Sequence, residues 1–148
     1  MKILQLLLVF TTLTTYAQET VPPAKGDNTI LVRTNLPDEE AFTMIRGKLA
    51  DLGYTFRENR DSLLFKTNEK PIDRKPAYQV ATVIKIANGV IVLSGQLTTI
   101  FEGTPASFPI QYTSPNSTMY RYGFKVLQDL GKSLEGTLPG TLVAYSKQ

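Results

Sequence analysis

The sequence predicts an α+β domain: a curved antiparallel sheet of four to six strands with two helices packed on one face, in the order β-α-β-β-β-β-α. Three observations predict it. The stretch YQVATVIKIANGVIVLSGQLTTIF, Tyr78 to Phe101, alternates apolar and polar residues on both sides of Asn88-Gly89, the strongest short hairpin signal. Residues 37–52 and 119–134 instead repeat apolar side chains at helical spacing. An antiparallel sheet that is apolar on one side needs a helical layer on that side only.

The chain opens MKILQLLLVFTTLTTYAQET. Lys2 precedes an apolar run from Ile3 to Phe10, then threonines, then Thr15-Tyr16-Ala17. That order predicts a secretory signal peptide over residues 1–17, cut after Ala17. The run is shorter than the roughly 20 residues that span a bilayer, and no other segment is long and apolar enough to do so. The YAQ ending resembles signal peptides of secreted Bacteroidota proteins. A lipoprotein would carry a cysteine at the cut, and this chain has none. The protein is therefore expected to be secreted or periplasmic. Residues 18–28, QETVPPAKGDN, hold two prolines and no apolar period, which reads as a flexible N-terminal segment. Residues 29–148 suffice for a single domain with its own core.

The first strand is TILVRT, Thr29 to Thr34. The next segment, NLPDEEAFTMIRGKLADLG, carries helix signals in order. Pro37 suits the first turn, and Asp38, Glu39 and Glu40 suit the positive end of the dipole. Phe42, Ile45, Leu49 and Leu52 form one stripe, and Gly53 suits the left-handed stop. Tyr54 and Phe56, then Leu63 and Phe65, alternate with polar or outward residues. A turn at Asn59–Ser62 would pair Phe56 with Phe65 and Arg57 with Leu64. NEKPIDRKPAY then reads as a polar loop.

The Asn88-Gly89 turn sets Ala87 opposite Val90. One face of the hairpin then pairs Ile86 with Ile91, Ile84 with Leu93, Thr82 with Gly95 and Val80 with Leu97. The other pairs Lys85 with Val92, Val83 with Ser94, Ala81 with Gln96 and Gln79 with Thr98. The first face is core. EGTPASFPIQYTSPNST, 102–118, reads as a long loop. Tyr120, Phe124, Leu127, Leu130 and Leu134 mark the second helix, Gly136 or Gly140 ends it, and TLVAY adds a short strand.

The passage Leu52 to Thr67 runs leucine, Gly-Tyr, alternating strand, polar turn, strand ending in threonine. It resembles helix-grip domains of outer-membrane assembly lipoproteins, and secreted domains with a fold like the TATA-box-binding protein. The resemblance covers the middle of the chain and implies a fold. It carries no catalytic residue across.

Composition restricts the chemistry. Histidine, cysteine and tryptophan are absent: the chain has His 0, Cys 0 and Trp 0. A Ser-His-Asp or Cys-His nucleophile is thereby excluded, as are ordinary zinc and haem sites. No cofactor is expected, and no Asp/Glu cluster has calcium-loop spacing. The 16 basic residues barely exceed the 13 acidic ones. A pI near 9.1 therefore reflects a small excess and not a basic patch, and nucleic acid is not an expected partner. A carboxylate-only hydrolase would need paired acids in a cleft. Asp38, Glu39 and Glu40 are explained by the helix dipole, and Glu58, Asp61 and Glu69 lie around turns. The expectation is a non-enzymatic module.

Five features are candidate sites, and the first three each have a plain structural counterpart. Thr82 and Gly95 leave a notch in the core face. It is either a groove for a small apolar ligand, or the point where Gly123 or a ring closes in. Phe108, Ile110 and Tyr112 alternate in the long segment, as a lid or partner-binding edge, or as a cover for the sheet. Tyr120, Arg121, Tyr122 and Lys125 interleave rings and cations, as a stacking surface or a helix turn half in the core. Asp61-Ser62-Leu63 resembles the O-glycosylation acceptor of secreted Bacteroidota proteins, which makes Ser62 a candidate modification site at a turn. Asn116-Ser117-Thr118 fits the N-glycosylation pattern. The expected function is binding of a protein or cell-envelope component, with a carrier of a small apolar ligand as the alternative.

Overall fold

The computed structural model describes residues 21–113, 118–140 and 142–148. The expected signal peptide lies outside the described residues. The elements run β1 (Thr29–Arg33), α1 (Asp38–Asp51), β2 (Phe56–Asn59), β3 (Leu64–Thr67), β4 (Lys70–Ile72), β5 (Lys75–Ala87), β6 (Val90–Phe101), β7 (Thr104–Pro109), α2 (Thr118–Glu135) and β8 (Leu142–Ser146). The class is α+β as predicted, but among the described residues the antiparallel sheet has eight strands and not four to six. Its main path is β2-β3-β5-β6-β1-β8, with β4 beside β3 on β5, and β7 beside β1 on β6.

The β5–β6 ribbon is the spine. Its pairing from Gln79–Thr98 to Ala87–Val90 follows the predicted register. Asn88 (φ 54°) and Gly89 (φ 72°) are both left-handed, the geometry of a type I′ turn. Asp38 at the start of α1 clamps this turn. Its carboxylate accepts the Asn88 N–H at 2.9 Å and the Gly89 N–H at 2.8 Å. One acidic side chain thus ties the first helix to the central hairpin.

Both helices pack on one face. α1 buries Ala41, Phe42, Ile45 and Leu49. Phe42 stacks on Phe65 of β3 with ring centroids 4.3 Å apart. α2 buries Phe124, Leu127, Leu130 and Leu134 against Ile30, Ile84, Leu93 and Leu97. Removal of this apolar surface from water is the main favourable term in the absence of disulfides.

Three sequence expectations change. The β2–β3 turn lies one residue later than expected, so Phe56 faces Thr67 and Arg57 faces Lys66. Leu63 takes φ 47° to close it. The slip is two places in register, an even number, so apolar residues keep their face, and Phe56 still packs edge-on to Phe65 at 5.5 Å. Second, the polar loop after Thr67 contains β4 and the first residues of β5.

Third, the segment 102–118, expected as a long loop, contains β7, which pairs with β6 from Gln96–Pro109 to Phe101–Thr104. Glu102 (φ 50°) and Gly103 (φ 81°) make the turn. The prolines that suggested a loop sit where a strand tolerates them. Ile110 N–H donates to Gly95 O at 2.9 Å, so even-numbered residues of β7 bond to β6 and odd-numbered ones face the open edge. Pro105 and Pro109 occupy edge positions, where the missing N–H removes no ladder bond and blunts the edge.

The residues just before β1 bond to the stretch that follows β7. Gly26 N–H donates to Tyr112 O at 2.7 Å, and Tyr112 N–H donates to Asp27 O at 2.6 Å. The last strand, β8, pairs along β1 from Thr29–Ser146 to Arg33–Leu142.

Candidate functional site

The notch between Thr82 and Gly95 is filled. A β-carbon on Gly95 would lie 2.7 Å from the Ala81 carbonyl oxygen, 3.1 Å from Ile110 Cδ1 and 3.4 Å from Leu127 Cδ2. Ile110 is also what a β-carbon on Gly123 would meet, at 3.1 Å. The two glycines therefore admit one isoleucine between sheet and helix, and Ile110 is the plug. Thr82 is 1% exposed, and its amide donates to Thr67 Oγ1 at 2.8 Å. Its own hydroxyl has no hydrogen-bond partner among the described residues.

The other candidates disperse. Phe108 is half-buried on β7 opposite Leu97. Tyr112 packs edge-on to Phe124 at 5.2 Å. Tyr120 lies in α2, and its side chain is outside the described residues. Asn116 and Ser117 lie outside them too. Ser62 is exposed in the β2–β3 turn, where its N–H donates to Asn59 Oδ1 at 3.2 Å. Thr82, Gly95 and Ile110 border one groove, and Tyr122 and Lys125 line a separate open cleft.

That cleft separates α2 from β4 and the end of α1 and has a volume of about 450 Å³, within the range of small-ligand sites. Apolar walls come from Leu52, Ile72, Val126 and Leu130, and aromatic ones from Tyr54 and Tyr122. A second groove, about 470 Å³, has Gly95 in its floor and Lys66, Ser94, Gln96 and Gln148 among its lining residues. By strand alternation Lys66, Ser94 and Gln96 belong to the helix-free face. None of its lining residues is aromatic, whereas two tyrosines line the first cleft, so the first cleft is the candidate binding site.

Local rules place each side chain of the first cleft. Helix α1 ends in a Schellman motif. Leu52 is the C-cap, Gly53 takes φ 72°, and the amides of Gly53 and Tyr54 donate to Ala50 O and Leu49 O, both at 2.9 Å. The motif projects Tyr54 beside the helix end. Lys70 on β4 reaches back, donating to Leu52 O at 2.8 Å, with its Nζ 4.4 Å from the centre of the Tyr54 ring. Tyr122, Val126 and Ser133 line the flank of α2 next to its core stripe. Tyr122 stacks on Tyr78 at 6.2 Å, and Lys75 Nζ lies 5.7 Å from the Tyr122 ring centre. Lys125 and Asp129 pair one turn apart at 3.1 Å. Burial, with a smaller push from the Asp129 charge, raises the Tyr54 phenol above its ordinary value. It is a neutral donor at physiological pH.

Sequence reasoning named Tyr122 and Lys125 here and missed Tyr54, Lys70, Val126 and Asp129. Two signals were available. The Gly53-Tyr54 pair marks a helix stop that aims an aromatic ring, and Val126 is an apolar residue off the main stripe of α2. Lys70 carried no signal, because its partners come from α1 and the turn after it. Among the described residues no group of three metal-ligating side chains is found, and no helix is long and apolar enough to cross a membrane. No known protein family matches the chain, and no curated protein shows significant similarity to it.

Proposed function

We propose that this protein is an exported, non-catalytic binding module that recognises a cell-envelope component through the cleft between α2 and β4. One observation carries the reading. This cleft combines open apolar walls with two tyrosines and a lysine already held by neighbouring groups. Pre-positioned polar groups around an apolar floor are what a recognition site needs. The leader-like start of the sequence, and a chain without histidine or cysteine, support export and binding over catalysis.

The alternative, a carrier of a small apolar ligand, draws on the same cleft. The Thr82–Gly95 notch offers it no support, because Ile110 and Leu127 occupy the space. A carboxylate-only hydrolase lacks a pair to build on: the acids lining the cleft are Asp73, which is exposed, and Asp129, which is paired with Lys125.

A photo-crosslinking residue at Val126, compared with one at Lys85 on the opposite sheet face, tests the site in cells. The expected outcome is an envelope adduct from position 126 only. Equal adducts from both positions, or none from 126, would remove the cleft from consideration. Mass spectrometry of the exported protein should give Gln18 as its first residue, and an intact Met1 would sink the export reading.

A further inference from the structure

We propose that the cleft takes an amphipathic anion: a monomeric molecule with one acidic head group and a single apolar body. The inference rests on the cleft being the binding site and adds the chemical class of its occupant.

Charge around the cleft decides the class. Lys125 and Asp129 are bonded to each other through both carboxylate oxygens at 3.1 Å and cancel. Of the remaining charged groups on the cleft and the adjoining β4–β5 turn, Lys70, Arg74 and Lys75 are cations, and Asp73 is the one acid. Ion pairs join Arg46 to Glu58, Arg60 to Glu39 and Lys125 to Asp129, and among the described residues Lys70, Arg74 and Lys75 are in no such pair.

Lys70 matters most because it is half-buried and fixed. One of its three N–H groups is taken by the neutral Leu52 carbonyl and two remain to donate. A carboxylate, sulfonate or phosphate monoester accepting them would gain charge-assisted bonds from an ammonium that is already ordered. The Tyr54 hydroxyl, being protonated, adds a donor and no repulsion. A cationic ligand would meet tyrosine rings that lysines already approach. The apolar body would lie along Val126 and Leu130.

The test is a fluorescence titration of the folded protein with 1-anilinonaphthalene-8-sulfonate, and with its uncharged relative N-phenyl-1-naphthylamine. The sulfonate is expected to bind one to one and be displaced by monomeric sodium laurate. Lys70→Gln should weaken the sulfonate roughly tenfold, the loss of one charge-assisted contact, and leave the neutral probe unchanged. Lys70→Arg keeps the cation and should restore binding, which separates charge from any structural effect of Lys70. Val126→Trp should block both probes, whereas Phe101→Ser, at the exposed apolar hairpin tip, should alter neither.

If both probes bind equally and Lys70→Gln changes neither, or if laurate fails to displace the sulfonate, the anionic class is overturned and the cleft stands. If neither probe binds, or Val126→Trp has no effect, the cleft itself is overturned.

Discussion

The β5–β6 ribbon has two ends built on different principles. At the Asn88-Gly89 end, Ile84, Ile86, Ile91 and Leu93 are fully enclosed. β3 flanks the ribbon on one side and β1 on the other, and the Asp38 carboxylate holds the turn itself. At the far end, Ile100 is 68% exposed and Phe101 is 64% exposed. There the flanking strands are the short β4, which contains Pro71, and β7, which has prolines on its free edge. The first end carries the core. Strand β4, which flanks the far end, forms one wall of the cleft and bears Lys70. Gly95 lies between the two regimes, where β1 stops pairing with β6 and β7 begins. The lesson is that one hairpin can be closed at one end and open at the other, because burial is set by what flanks each half.

The largest test of this contrast is a pair of truncations followed by urea denaturation. Ile84→Ala should cost about 2–5 kcal/mol, as large truncations in a closed core do. Ile100→Ala should stay within about 0.5 kcal/mol, as exposed substitutions do. Similar losses at both sites would mean the far end is part of the core after all.

Gly95→Val probes the boundary. The added carbons meet the Ala81 carbonyl, Ile110 and Leu127, so overpacking should lower stability by about 1–3 kcal/mol. A melting temperature that rises by several degrees would show unfilled space beneath α2 and revive the carrier reading at that notch. Asp38→Ala removes the acceptor for two turn amides at the closed end and should cost about 1–2 kcal/mol. A double variant with Asn88→Ala should lose less than the sum of the two singles, since both changes act on one turn.

The smallest effect concerns the cleft. Tyr54 has a raised phenol pKa in the folded state, so its contribution to stability is complete below the unfolded value, about 10. It is lost as pH rises through the higher folded value. The readout is therefore a difference against a variant without the phenol. The gap in stability between wild type and Tyr54→Phe should narrow above pH 10. A gap that stays constant through the alkaline range would mean that Tyr54 ionises as freely in the fold as outside it.

What was legible in the sequence depended on how far the information had to travel. The Asn88-Gly89 dipeptide determined the register of the central ribbon, because a two-residue type I′ turn leaves one pairing open. Gly53 marked the end of α1 and Phe42, Ile45 and Leu49 its buried face, because capping and helical periodicity act within a few residues. The missing histidine and cysteine removed whole classes of chemistry without any structure. The two-place slip of β2–β3 escaped because Asn59–Ser62 and Arg60–Leu63 are both acceptable turns that preserve the faces. Tertiary structure chose between them, placing Phe65 on Phe42. It also decided that Pro105 and Pro109 belong to a strand, since a proline's cost depends on whether its amide would face a neighbour or solvent. Ile110 became the plug of the Gly95–Gly123 notch only when β7 carried it there. The cleft is the most non-local feature of all. Tyr54, Lys70 and Tyr122 come from three elements, and no local rule brings them together; the packing of α2 beside β4 does.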